Sequence, residues 1–230
     1  MKILPCLIVA AVAVFSVSCG AYRYYQPAFN AALFRDKGEF HLSGNVGSSG
    51  AAVKAAVSIS DQIGVVALYN GGISEYRPRE WELGAGYIVP GKAFFLAGLG
   101  FGSNFEYADS THKAKLYLGD FYRPFLQVNG GVTGGTIFKG VKGDLIAVFK
   151  ANYFSYKGRH LDGTNDPINS GYVTLEPGLM VGLGSRTFRF DLTVGMPFRP
   201  AFVGLSSRGE ARTFPASAAA GISFVFGRKR

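Results

Sequence analysis

The chain has 230 residues, with 24 lysines and arginines against 15 acidic residues and a formal net charge of +9. Charged residues make up 17%, below the roughly 25% of an ordinary soluble domain, while 32 glycines are about twice the usual share and 12 tyrosines and 20 phenylalanines add to them. The positive charge is spread along the chain, apart from Arg228-Lys229-Arg230, which argues against nucleic acid as a partner and favours anionic headgroups or lipopolysaccharide phosphates.

The chain opens with Met1-Lys2, an apolar run over residues 3–15 and the stretch Ser16-Val17-Ser18-Cys19-Gly20. The apolar run is shorter than the roughly 20 residues a membrane-crossing helix needs. A positive start, a short apolar core and small residues before a cut site make a secretory signal, here residues 1–18. The stretch also resembles a bacterial lipoprotein signal, whose lipobox ends in a cysteine. Cys19 is that cysteine, between Ser18 and Gly20, although Ser16 stands where the family usually has leucine. Cys6 leaves with the signal, so Cys19 is the only thiol of the mature chain and can form no internal disulfide. A lone thiol in an oxidising compartment is expected to be modified, and lipidation of Cys19 follows. Residues 19–37, which include Pro27, read as a lipidated tether with a short helical turn over residues 30–34.

From residue 38 on, apolar and polar residues alternate. Residues 187–196 show the pattern best, with Phe188, Phe190, Leu192, Val194 and Met196 on one parity and Thr187, Arg189, Asp191, Thr193 and Gly195 on the other. Successive side chains of a strand point to opposite faces, so one face is continuously apolar and the other is charged. Residues 80–89 repeat this with Trp81, Leu83, Ala85, Tyr87 and Val89 opposite Glu80, Glu82, Gly84 and Gly86. In chain order the strand candidates are residues 39–46, 51–59, 63–69, 80–89, 93–105, 113–128, 143–156, 172–184, 187–196 and 214–226. Pro124 cannot donate a ladder bond and is expected at a bulge. Residues 130–142 are glycine-rich, weakly patterned and read as a connection. No helical period of any length occurs.

The connections separate by length. Residues 60–62, 90–92 and 184–186 are short and fall between even and odd strands. Residues 71–79, 106–112, 157–171 and 197–213 are longer and fall at the opposite end. The stretches 47–50 and 130–142 break the rule. Short turns at one end and long loops at the other are the habit of membrane barrels. Aromatic residues lie toward the strand ends (Phe40, Tyr69, Tyr87, Phe101, Tyr153, Phe188 and Phe226), as interfacial girdles require. The last strand ends on Phe224 and Phe226 and resembles the carboxy-terminal signal of outer-membrane barrels, with Arg228-Lys229-Arg230 added beyond the aromatic.

Over residues 1–20 and 38–227 the chain resembles small bacterial outer-membrane β-barrel lipoproteins. The resemblance implies an all-β fold, a single antiparallel up-and-down transmembrane β-barrel of about ten strands (roughly 8–12) over residues 38–230. It also implies the outer membrane of a Gram-negative-type bacterium, with the lipidated chain start on the periplasmic side and the long loops outside. Outer-membrane lipid and lipopolysaccharide are then the expected partners, with an extracellular partner possible at the loops.

Inside such a barrel, the inward parity carries Glu39, His41, Lys54, Glu80, Glu82, Lys115, Arg123, Gln127, Lys150, Glu176, Arg189 and Asp191. A barrel of about ten strands has a narrow interior, and buried charges persist there only if they pair. Glu80, Glu82, Arg123, Lys150, Glu176, Arg189 and Asp191 are therefore expected to form a lumen charge network. Gly98, Gly100 and Gly102 make room for bulky neighbours rather than a phosphate loop, since no helix follows them. No catalytic motif surrounds His41, His112 or His160. Asp162, Asn165 and Asp166 lack the spacing of a calcium loop, so no metal or cofactor is expected.

Three functional readings remain. The first is a non-enzymatic membrane barrel acting structurally or through its extracellular loops. The second is a lipid-anchored soluble barrel that binds a small apolar ligand, with the Phe188/Phe190/Leu192 face lining its cavity. The third is an outer-membrane enzyme, which needs His41 or His160 to meet a carboxylate and a hydroxyl. The directions of Phe190 and Arg189 separate the first two.

Overall fold

A computed structural model describes residues 29–72, 79–103, 117–160, 167–199, 212–213 and 216–227. The expected signal peptide, Cys19, residues 20–28 of the tether, His112 and loop residues 161–166 lie outside the described residues. The strands are β1 (Phe40–Gly47), β2 (Gly50–Ser58), β3 (Ile63–Gly71), β4 (Arg79–Val89), β5 (Ala93–Ser103), β6 (Tyr117–Phe138), β7 (Val141–His160), β8 (Pro167–Gly184), β9 (Phe188–Gly195), β10 (Phe198–Arg199), β11 (Arg212–Thr213) and β12 (Ser217–Phe226).

From β1 to β9 each strand pairs antiparallel with the next, and β12 lies between β9 and β1. Ten strands thus close into an up-and-down barrel with no free edge. Strand β8 outlasts β9, and the two-residue strands β10 and β11 continue the sheet beside it.

The glycine-rich stretch 130–142 is not the long connection expected. Strand β6 runs through it to Phe138, and β7 begins at Val141. The β6–β7 register slips between Val132 and Gly135 and again between Thr136 and Phe138. These irregularities blur the alternation that marks the other strands. Gly134 (φ 67°) and Gly140 (φ 82°) adopt left-handed backbone at the first slip and at the turn. The bulge expected at Pro124 is absent. Pro124 pairs in register with Leu99, and toward β7 the ladder passes over it from Tyr122↔Ser155 to Phe125↔Asn152 without a shift. The connection 157–171 also shortens, because β7 extends to His160 and β8 starts at Pro167. The β2–β3, β4–β5, β6–β7 and β8–β9 turns are all short and lie at one end, where β1 starts and β12 ends. The brief Ser48–Ser49 turn stays the exception at the long-loop end.

Side-chain direction follows the parity of the sequence. Phe190 is 63% exposed and its neighbour Arg189 only 2%. Leu83, Leu99, Leu126, Leu145 and Leu192 also face outward. An apolar outer belt around a closed barrel is the sorting of a membrane-spanning barrel, with hydrocarbon as the outer solvent. It is not that of the soluble ligand carrier, whose apolar face would turn inward. On the outer surface Tyr69, Trp81, Phe101 and Tyr122 are successive cross-strand neighbours toward the long-loop end. Toward the short-turn end Phe40 stacks on Phe226, Phe188 meets Phe224, and Tyr87 lies opposite Phe95. These two belts sit where aromatic rings favour the membrane interfaces.

The core is inside the barrel. Phe29, Ala31, Ala32, Leu33 and Phe34 are buried there among Ile88, Phe94, Leu96, Phe125, Ile146 and Val148. From Phe29 on, the stretch expected to be an external tether is therefore a lumen segment, and residues 30–34 form no helical turn. A lumen this narrow is filled by one extended chain and the side chains around it.

Candidate functional site

The lumen segment cannot join the barrel ladder, because the strand backbones already pair with one another. Side chains on the inward parity take over. Lys54 Nζ donates to the Phe29 carbonyl at 2.9 Å. Gln127 Nε2 and Asn129 Nδ2 both donate to the Asn30 carbonyl at 2.9 Å. Asn129 reaches the Ala32 carbonyl as well, at 3.1 Å. Asn30 returns the pattern, its Nδ2 donating to the carbonyls of Ala55 (3.2 Å) and Ala67 (3.3 Å).

At the short-turn mouth the segment is clamped. Gly91 N donates to the Phe34 carbonyl at 2.7 Å. The Phe34 ring packs edge-on against Phe94 (5.3 Å between centroids) and His41 (5.2 Å). Buried Glu39 accepts from the Arg35 and Asp36 amides through Oε2, at 2.8 and 3.2 Å, and its Oε1 lies 2.8 Å from His41 Nε2. Ser58 Oγ donates to the Asp36 carbonyl at 2.6 Å and accepts from Glu39 N at 3.0 Å. The chain then turns at Gly38 (φ 77°) into β1. The segment thus runs from the middle of the lumen to the short-turn mouth.

On the long-loop side of the segment lies a charged layer. Arg123, fully buried, binds Glu80 and Glu82 through Nη2, and its Nη1 is 3.5 Å from Glu176 Oε1. Lys150 pairs with Glu82. Thr174 Oγ1 donates to Glu176 Oε1 at 3.2 Å and accepts from Asn152 Nδ2 at 3.1 Å. Lys150 Nζ stands 4.2 Å from the Phe125 ring and the Arg123 guanidinium 5.1 Å from Phe154. Aromatic faces on both sides suit cations removed from water. The cluster depends on a missing side chain: Gly100 lies between Glu82 and Arg123 in one cross-strand row. A Cβ there would stand 3.0 Å from Glu80 Oε1 and 3.2 Å from Arg123 Nε. Phe125 and Phe121 likewise occupy the space above Gly98 and Gly102.

Five of the seven expected network residues, Glu80, Glu82, Arg123, Lys150 and Glu176, thus come together. Arg189 and Asp191 do not join them. They lie on the β9 wall, where Arg189 pairs with Asp144 of β7. Asp144, Gly182 and Asp191 form one row across β7, β8 and β9, and the small Gly182 lets the pair span it. Asp144 shares the parity of Lys150 on the same strand, and strand register decides its partner. Asp144 Oδ1 also accepts from Gly134 N at 2.6 Å, tying the irregular part of β6 to this wall. Between wall and segment is a cavity of about 40 Å³ lined by His41, Lys54, Asp144, Arg189 and Asp191 among others. It has room for about three waters at roughly 10–15 Å³ each.

Of the enzyme candidates, His41 meets a carboxylate, but that carboxylate is Glu39, which holds the lumen segment. The side chain of His160, and Asp162, Asn165 and Asp166, lie outside the described residues. Among the described residues no group of three or more His, Cys, Asp or Glu could hold a metal ion.

No protein family matches the sequence, and no curated protein matches it. Among solved structures, Neisserial surface protein A (NspA) aligns at 15% identity and a TM-score of 0.34, covering 81% of this chain and 93% of that one. OmpT, an outer membrane protein of Vibrio cholerae folded in vitro, aligns at 15% identity and a TM-score of 0.27, covering 78% and 66%. Likeness at this level carries no functional argument.

Proposed function

We propose that the protein is a closed, non-enzymatic outer-membrane barrel lipoprotein, anchored through Cys19, that acts structurally or through its long-loop end and passes no solute. The observation that carries this reading is the filled lumen. Leu33 and Phe34 are 0% and 1% exposed inside the barrel, and the Arg123 cluster lies above them. A solute path would need both layers to open, at the cost of unpaired buried charges. The outer apolar belt favours a membrane location, and long loops on the outer face follow barrel habit. His41 and Glu39, the one described histidine–carboxylate pair, serve as a clamp rather than an acid–base pair in this reading.

Reconstitution into planar bilayers tests the closed state. The intact protein is expected to give no stepwise conductance, and porin-like steps would overturn the reading. Intact-mass analysis of membrane-extracted protein tests the anchor. A mature chain starting at acylated Cys19 supports it, and an unmodified thiol rejects it.

A further inference from the structure

The rim of the barrel that carries the short turns is strongly basic. Lys37 precedes β1, Lys92 lies in the β4–β5 turn, Lys139 and Lys142 lie at the β6–β7 turn, and Arg186 lies in the β8–β9 turn. Arg35 adds a sixth cation, its Nε donating to Thr133 Oγ1 at 3.0 Å. Against them stand Asp36 and, in the β2–β3 turn, Asp61, the acids of this rim among the described residues. Glu39 and Asp144 point into the lumen, where Glu39 clamps the segment and Asp144 pairs with Arg189. Near the long loops the described charges are mixed, with Asp120 opposite Lys157. The positive excess of the described residues thus gathers at the end away from the long loops.

Three features say what this rim meets. The start of β1 and the four short turns are its stations, and all but the β2–β3 turn carry a cation. The cations therefore form a ring about the mouth rather than a patch on one side, which suits a layer that surrounds the barrel. The ring also lies just outside the aromatic belt: Lys139 directly follows Phe138, Arg186 stands two residues before Phe188, and Lys37 three before Phe40. One to three residues of tilted strand advance at most roughly 8 Å along the membrane normal, and the polar layer outside the hydrocarbon is roughly 5–8 Å thick on each side. At the β6–β7 turn, Phe138 and Ile137 are 71% and 48% exposed beside Lys139 and Lys142. Apolar side chains next to cations are the pairing that holds a protein at a membrane surface. We propose that the basic ring binds the headgroup phosphates of anionic phospholipids in the leaflet on the short-turn side, with Phe138 seated at the base of those headgroups. The proposal rests on the membrane reading above and gives it a lipid class and a side. Each lysine or arginine close to an anionic lipid surface strengthens attachment severalfold.

Fluorescence quenching in vesicles tests this, because Trp81, the single tryptophan, lies toward the long-loop end. Combining Trp81→Phe with Phe138→Trp moves the indole to the basic rim. Each protein is reconstituted into mixed phosphatidylcholine and phosphatidylglycerol vesicles in which one lipid or the other is brominated, at equal mole fraction. Heat-modifiable mobility confirms folding. Brominated phosphatidylglycerol is expected to quench the introduced indole severalfold more than brominated phosphatidylcholine, and molar salt is expected to weaken the preference. Lys139→Gln with Lys142→Gln should reduce it, and adding Lys92→Gln and Arg186→Gln should abolish it. Lys139→Arg with Lys142→Arg should keep it. Equal quenching of the introduced indole by the two lipids, a preference that survives the glutamine changes, or a larger preference at Trp81 in the parent overturns the proposal while leaving the membrane reading intact. Quenching of neither indole by either lipid in folded protein overturns the membrane reading, and this proposal with it.

Discussion

The Asn129 side chain on β6 donates to the main-chain carbonyl of Asn30 at 2.9 Å across 99 positions of sequence. It ties the middle of a barrel wall to the segment that fills the barrel. Asn129→Ala is expected to cost about 1–3 kcal/mol, because the Ala32 carbonyl loses its described donor. Gln127 shares the Asn30 carbonyl, so Gln127→Ala with Asn129→Ala is expected to cost more than the sum of the single changes. Urea titration of the refolded protein in micelles measures both. Equal stability of Asn129→Ala and the parent would show that the segment is not held from this wall.

The aromatic contacts of the segment are equally specific. A Cβ at Gly178 would collide with the Phe29 ring. Gly178→Ala is therefore expected to destabilise, and Phe29→Ala added to it to restore part of the loss. Phe34→Ala alone removes a ring that is 1% exposed and is expected to cost about 3–5 kcal/mol. If Gly178→Ala and its double variant unfold at the same urea concentration, Phe29 does not lie against β8.

In the charged layers, removal of one partner strands the other. Arg123→Leu leaves Glu80, Glu82 and Glu176 with Lys150 as their remaining described cation, and a loss of roughly 3–5 kcal/mol is expected. Arg189→Leu is expected to cost a similar amount by leaving buried Asp144 without its described cation. The paired change Arg189→Leu with Asp144→Leu should recover most of it, since two apolar groups replace a buried ion pair. Recovery with an Asp191 change but not with Asp144 would contradict the observed pairing.

The outer belt makes a separate prediction. Leu192, 52% exposed on the outer face, should contact hydrocarbon. A charge near the midplane of a barrel's lipid face costs roughly 2–4 kcal/mol. Leu192→Arg is expected to fold poorly into lipid vesicles, as read by heat-modifiable gel mobility. Folding as efficient as the parent's, from a protein that stays soluble without detergent, would remove the membrane reading.

Alternation alone determined much of this molecule. A strand has a period of two, so the parity of Phe190 and Arg189 specifies which face each joins before any partner is known. The same logic placed ten strands, sorted Trp81, Leu83 and Tyr87 outward, and put Glu80, Glu82, Arg123, Lys150 and Glu176 inside. Aromatic positions at strand ends marked the interfaces for the same reason. Local pattern failed where the backbone departs from strict alternation. The irregular end of β6 looked like a loop, because each register slip there moves the following side chains to the other face.

What occupies the lumen was decided only by tertiary structure. Phe29–Phe34 has no period of its own, and its burial depends on walls contributed by residues far along the chain. Nothing local distinguishes an extended segment inside a barrel from one outside it. Likewise the partner of Arg189 is Asp144 rather than a near neighbour, because strand register and the small Gly182 between them determine which charges meet. Parity is a property of each strand, whereas contact across a closed barrel is a property of all the strands that close it.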